Sequence, residues 1–310
     1  MTRIRRSTPI LCAALLAAAL GLPPAVACAQ TAIRTRIDST FAFNKGAWVD
    51  LSLISGDIIV TGWTRPEARV VARIDEGDLE TTLTSGRIFI RSISRRRRQG
   101  DARYELHVPI GTRVQASSIS GDIRVTATAG EVLVNTTSGS IEVLDATDRI
   151  SIRSISGDIH AGKLRGPTRI NTTSGELAID DVVGDVTIQS VSSEIKITRA
   201  KSAHVRAETT SGEVTYAGSI EANGTYDFST HSGDIRLAIP AGTGANLELQ
   251  TFSGDITSSF PMMLQPGDRS RSQRGKRMQF TIGSGGARIS AQTFSGDITI
   301  ERGGRSGKEE

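Results

Sequence analysis

Nine carboxylates occupy the same place in a recurring motif of this 310-residue chain. Asp57, Asp122, Asp158, Glu176, Glu194, Glu213, Asp234, Asp255 and Asp297 each follow a Ser-Gly pair or, once, Ser192-Ser193. From Asp158 to Asp255 they recur at a nearly constant interval, and the last step, from Asp255 to Asp297, is twice as long. Evenly repeated carboxylates have two chemical uses. Brought together they can surround a hard cation such as calcium, which takes about six to eight oxygen ligands. Taken singly, each can accept backbone N–H bonds and cap its own turn. Calcium-binding β-rolls use turns of the form G-G-x-G-x-D with several glycines, whereas this chain has one glycine per turn. Turn capping is therefore the expected role, and no metal or other cofactor is expected.

The strongest cationic features are the run Arg95, Arg96, Arg97, Arg98 and the group Arg269, Arg271, Arg274, Lys276, Arg277. Charge runs of this kind are commonly solvated loops; the binding alternative is contact with a polyanion. No aromatic residue is interleaved with them, so a stacking platform for single-stranded nucleic acid is not expected. The four histidines, His107, His160, His204 and His231, share no metal-ligand or nucleophile-elbow spacing. No catalytic residue is assigned. His231 replaces an aliphatic residue in a repeated position and reads as a packed core-edge side chain.

The motif serine recurs at 55, 85, 120, 138, 156, 174, 192, 211, 232, 253 and 295. Within that period lies a finer one. Ile123, Val132, Ile141, Ile150, Ile159, Thr168, Leu177, Val186 and Ile195 are nine apart, and two residues further on stand Val125, Val134, Val143, Ile152, Ala161, Ile170, Ile179, Ile188 and Ile197. Alternation of apolar and polar residues over such short units marks strands, and the Ser-Gly-acid triplets mark turns. A unit this short cannot bury its apolar face alone, so copies must stack. The expected fold is all-β: a single-stranded parallel β-solenoid (β-helix or β-roll) with coils of roughly 18 to 21 residues, built from nine-residue strand-turn units. Larger inward residues, Tyr226, Phe228, Leu247 and Leu249, enter where the coil lengthens. A hexapeptide helix also has coils of about 18 residues, but Ala129 and Asn135 stand where it needs aliphatics.

Composition agrees: 32 glycines, 4% aromatic residues, and many Ser, Thr, Ile and Val. Positions 1–29 combine Arg3, Arg5 and Arg6, an apolar run from Ile10 to Leu22, and Ala27-Cys28-Ala29. That order reads as a secretory signal peptide cleaved after Ala29. Both cysteines, Cys12 and Cys28, lie inside it, so the mature chain has no thiol; lipid attachment at Cys28 is the less favoured alternative. The chain has 37 basic and 33 acidic residues, and the signal removes three basic ones, taking the net charge from +4 to about +1. The basic character thus belongs largely to the signal. Residues 30–48 read as a lead-in or cap, 49–300 as the solenoid and 301–310 as a polar tail.

Two interruptions, SISRRRRQGDARYELHVPIGTRV and QPGDRSRSQRGKR, carry the arginine groups. Each follows a motif strand and precedes a return strand, so both are expected on one side of the rod. The segments LHVPIGTRVQASSISGDIRV (106–125) and LAIPAGTGANLELQTFSGDIT (237–257) share V/I-P-x-G-T, a strand, and then SGDI. With these repeated SGDIxV units the chain resembles the bacterial putative-adhesin family, a domain of unknown function, over residues 40–300. The resemblance implies an exported or envelope-tethered protein and supplies no catalytic residues. The expected role is structural or adhesive, in the periplasm, at the cell surface or outside the cell, with acidic envelope glycan, glycolipid or membrane surface as partner. The alternatives are a carbohydrate-active enzyme on a β-helix and an envelope stress or signalling module.

Overall fold

In the strand Ile150–Ser156, ISIRSIS, residues Ile150, Ile152 and Ser154 point inward while Arg153 and Ile155 point to solvent. The same two-residue alternation repeats along the chain, because successive side chains on a pleated strand leave opposite faces. The computed structural model describes residues 31–93, 100–261 and 276–303. Among these, 25 strands form one continuous, mostly parallel sheet. Long strands such as Trp48–Trp63 and Arg113–Thr128 run through a corner and join two ladders.

The expected columns are present. Ile123, Ile141, Ile159, Leu177 and Ile195 stand opposite one another on successive strands of the second ladder, followed by Val125, Val143, Ala161, Ile179 and Ile197. All ten are at most 1% exposed. On the first ladder Val132, Ile150, Thr168, Val186 and Val205 align in the same way. The wider coils are filled by Tyr216, Tyr226 and Phe228, whose rings meet at 5.3 and 5.9 Å. These apolar columns belong to one continuous core.

The corner explains the motif. Gly157 has φ of +125°, and a Cβ placed there would lie 2.2 Å from the carbonyl oxygen of Gly139 in the adjacent coil. Only glycine permits both the dihedral and the approach. Just inside the corner, a buried hydroxyl two residues before the motif serine binds that serine's carbonyl: Thr136 to Ser138, Ser154 to Ser156, Thr172 to Ser174 and Thr209 to Ser211, at 3.0–3.3 Å. These bonds satisfy backbone acceptors that the turn removes from the ladder.

Three features of the ends depart from a simple stack. Ser85-Gly86 is not a coil corner. It closes an antiparallel hairpin between Asp78–Leu83 and Arg87–Ile93, with Thr84 N–H and Arg87 carbonyl 2.9 Å apart. Arg36–Ala42 and Glu67–Ile74 are likewise antiparallel, so the solenoid is not parallel throughout. At the other end the coil of Ser295 lies between those of Ser232 and Ser253, so the double-length gap in the motif is not two successive layers. Lys276–Ile282 runs antiparallel along the outer side of Ala245–Ser253, and Ala287–Ser295 returns along its inner side. The chain passes over the start of that strand through Gly283-Ser284-Gly285-Gly286, whose three glycines all have positive φ. That local freedom of the backbone lets the last coil insert out of sequence order.

The chain's three tyrosines are all buried. Tyr104 donates to the Ser52 carbonyl, Tyr216 to that of Ser219 and Tyr226 to that of Ser202, at 2.7–3.2 Å. Burial raises all three hydroxyl pKa values above the ordinary 10.0. The folded chain then keeps protons that the unfolded chain releases above about pH 10, so the tyrosines' contribution to stability is constant below that pH and falls as it rises further. Phenolate absorbance is expected to appear together with unfolding. A tyrosine ionising in the folded protein near pH 10 would contradict the assignment.

Candidate functional site

The corner carries two outward rows, one on each side of the Ser-Gly pair. On the acidic side, the carboxylates cap backbone, but not in their own turn. Asp122 accepts from the Ser140 N–H, Asp158 from Glu176, Asp234 from Asp297 and Asp297 from Asp255, at 2.8–2.9 Å. Each donor lies in the adjacent coil. The expected self-capping is therefore corrected to capping of the neighbour: the side chain lies along the axis and finds the next layer's N–H. Among the described residues, no group of three or more His, Cys, Asp or Glu is arranged to hold a metal ion.

The other row is the residue before each motif serine. In spatial order it includes Ile54, Ile119, Thr137, Ile155, Thr173, Val191, Thr210, His231, Phe294 and Phe252, all exposed. The register of Arg87–Ile93 on Trp48–Trp63, carried two residues on, adds Ile93 beside Ile54. Among the described residues, seven of the nine exposed large hydrophobic side chains fall on this single line, at 36–54% exposure. His231 stacks on Phe294 at 4.9 Å, and Phe294 on Phe252 at 4.7 Å, nearly coplanar in both pairs. His231 is thus an exposed rung rather than a core-edge residue, because the position before the serine points outward. The sequence places His231 in a repeated position without marking that position as exposed.

Of the cationic residues singled out from the sequence, Arg95 to Arg98, Arg269, Arg271 and Arg274 lie outside the described residues. Lys276 and Arg277 are described, and each is ion-paired, to Asp255 and Glu248. Ion pairs of this type recur over the surface. Arg103 meets Asp57 and Glu105, Arg124 meets Glu142, and Arg236 meets Glu213 and Asp234. The hydrogen bond from Arg165 lowers the Asp181 carboxyl below its ordinary range. An open groove of about 680 Å3 is lined by Ala200, Ala217, Gly218 and Ala238 together with Arg199 and Lys201. Arg199 is held by Asp180 and Asp181 by Arg165, so two of the charged groups around the groove are already engaged. His204 contacts Asp185 at 3.1 Å on an exposed face, and the other histidines sit apart from it.

The Toastrack DUF4097 family model matches the chain twice, over residues 38–179 and 128–301. The chain belongs to the Toastrack DUF4097 family. Its two overlapping matches reflect the repetition itself, since either half of the stack presents the same units. Among solved structures, a putative cell adhesion protein from Clostridium sporogenes is similar over 86% of this chain and 99% of its own, at 8% identity and a TM-score of 0.28. A putative adhesin from Bacteroides fragilis is similar over 86% and 96%, at 9% identity and a TM-score of 0.34. No curated protein matches the sequence. This Toastrack chain presents its chemistry as long outward rows.

Proposed function

We propose that this Toastrack protein is an exported, non-catalytic solenoid with a structural or adhesive role at the cell envelope. Residues 1–29 act as its secretory signal and nine-residue strand-turn units as its building block. The observation that carries this reading is the surface: rows of side chains repeated at strand spacing along a rod, with most charged groups near the open groove already ion-paired. A repeated row suits an extended polymer, because each coil offers the same small contact and linked weak contacts add in avidity.

In this reading the basic insertions, Arg95 to Arg98 and Arg269 to Arg277, are the contacts for acidic envelope glycan, glycolipid or membrane surface. Replacing Arg95, Arg96, Arg97 and Arg98 by Ser is expected to weaken binding to an anionic glycan at low salt by about tenfold or more. The intact protein should lose affinity steeply as salt rises, since exposed charge is screened within about 10 Å at 0.1 M. Unchanged affinity after the fourfold replacement would leave these arginines as solvated loops. Recovery of the protein in the cytoplasm, with residues 1–29 still attached, would remove the envelope assignment.

A further inference from the structure

The exposed row before the motif serine has no explanation within the fold. Two residues upstream on the same outward face stand Ser117, Asn135, Arg153, Asn171, Gln189 and Glu208, so this ladder accepts polar residues in its outward columns. Strand propensity therefore does not force Ile119, Ile155 and Val191 to be apolar. Stacking of one rung on the next hides part of each side chain, yet about half of each of these three stays in solvent. At about 4.8 Å per coil the row is about 50 Å long. Exposed aliphatic side chains repeated along one line, with Thr137 and Thr173 as the rungs between Ile119, Ile155 and Val191, form an edge that a partner can cover.

The acidic row says what kind of partner fits. Toward the ends of the rod most of its members are ion-paired with the chain's own cations, Asp57 with Arg103, Glu213 and Asp234 with Arg236, and Asp255 with Lys276, Asp297 being the exception. In the middle, Asp122, Asp158, Glu176 and Glu194 have no ion pair among the described residues. Asp122 and Asp158 each spend one oxygen on a neighbouring N–H and leave the other free. These carboxylates lie just across the Ser-Gly corner from Ile119, Ile155 and Val191. The middle of the edge therefore carries aliphatic rungs alternating with threonines on one side and carboxylates on the other.

We propose that this edge docks an extended, cationic and amphipathic segment of a partner protein. Its apolar side chains lie on Ile119, Ile155 and Val191, and its Lys or Arg side chains reach the free carboxylates. The whole edge accommodates about 15 residues of extended chain, and the stretch from Ile119 to Val191 about six. A second copy of this protein would set one acidic row against another, and an anionic membrane would meet the carboxylates; like charges oppose both. Backbone groups along the row are bonded to adjacent coils, so recognition is by side chains and not by strand addition. The proposal uses none of the basic insertion residues and stands or falls independently of them.

The test uses the full chain and a labelled peptide of about 15 residues alternating Leu and Lys, with a Leu and Glu peptide as control. The Lys peptide is expected to bind and the Glu peptide not. The triple variant Ile119→Thr, Ile155→Thr, Val191→Thr should weaken binding by about tenfold or more. It should keep its fold, because Thr is the natural rung at 137, 173 and 210. Asp158→Asn, Glu176→Gln, Glu194→Gln should also weaken binding and flatten its salt dependence. Equal binding of the two peptides, or unchanged affinity in both variants, overturns the proposal. So does loss of self-association or of vesicle adsorption in the threonine variant without any peptide effect, which would reassign the edge to a second copy or to lipid.

Discussion

Ile159→Asp is expected to unfold the central coils, costing at least about 4 kcal/mol, because it buries a charge with no partner in an aliphatic column. Ile159 is 1% exposed and lies between Ile141 and Leu177 on the adjoining strands. The backbone amides of those strands are already committed to the ladder. In a stacked array each layer contacts only its neighbours, so loss of one layer removes the support of both and the damage spreads along the axis. Urea denaturation followed by circular dichroism should show a collapsed midpoint or no folded baseline. Ile159→Val, which keeps the column apolar, should cost about 1 kcal/mol. A variant Ile159→Asp with a near-native midpoint would mean that this column is not the core.

Gly157→Val is the second large effect and acts through the backbone. At φ of +125° a β-branched residue is strained, and the added Cβ would sit 2.2 Å from the Gly139 carbonyl oxygen. Relief requires the corner of one coil to move away from the next, and the expected cost exceeds about 3 kcal/mol. Gly86 provides the contrast. It belongs to the same sequence motif, yet a Cβ there meets nothing within 4 Å, because this copy turns a hairpin instead of a coil. Gly86→Ala should therefore change stability by no more than about 1 kcal/mol. If both substitutions were equally tolerated, close approach between corners would not be the reason for the motif glycine.

The same contrast shows where the motif stops being informative. A Ser-Gly pair specifies a tight turn, and local sequence is enough for that. Whether the turn joins two faces of a coil or two antiparallel strands depends on the strand it lies against. For Ser120 that strand is Trp48–Trp63, with Ser55 opposite. For Ser85 it is the preceding strand of its own hairpin. Likewise the double-length gap between Ser253 and Ser295 could be read as two successive layers, and only the long-range pairing shows the Ser295 coil inserted between those of Ser232 and Ser253.

The sequence alone determined the two-residue alternation, the length of the coil, the identity of the inward columns and the need for glycine at the corner. These are local or nearest-neighbour properties: a side chain's face follows from its position in the strand, and identical units can bury that face only by stacking. Tertiary structure decided three things. It set the order of the coils at each end, since pairing energy is nearly the same for any neighbour presenting the same register. It sent the motif carboxylates to the next coil's N–H, because the axial neighbour is closer than their own turn. It also set the outward residue before each serine beside its counterpart in the adjacent coil, because parallel pairing in register brings equivalent positions of successive layers together. Single exposed aliphatics far apart in sequence thereby become one row in water, which local hydrophobicity by itself does not mark.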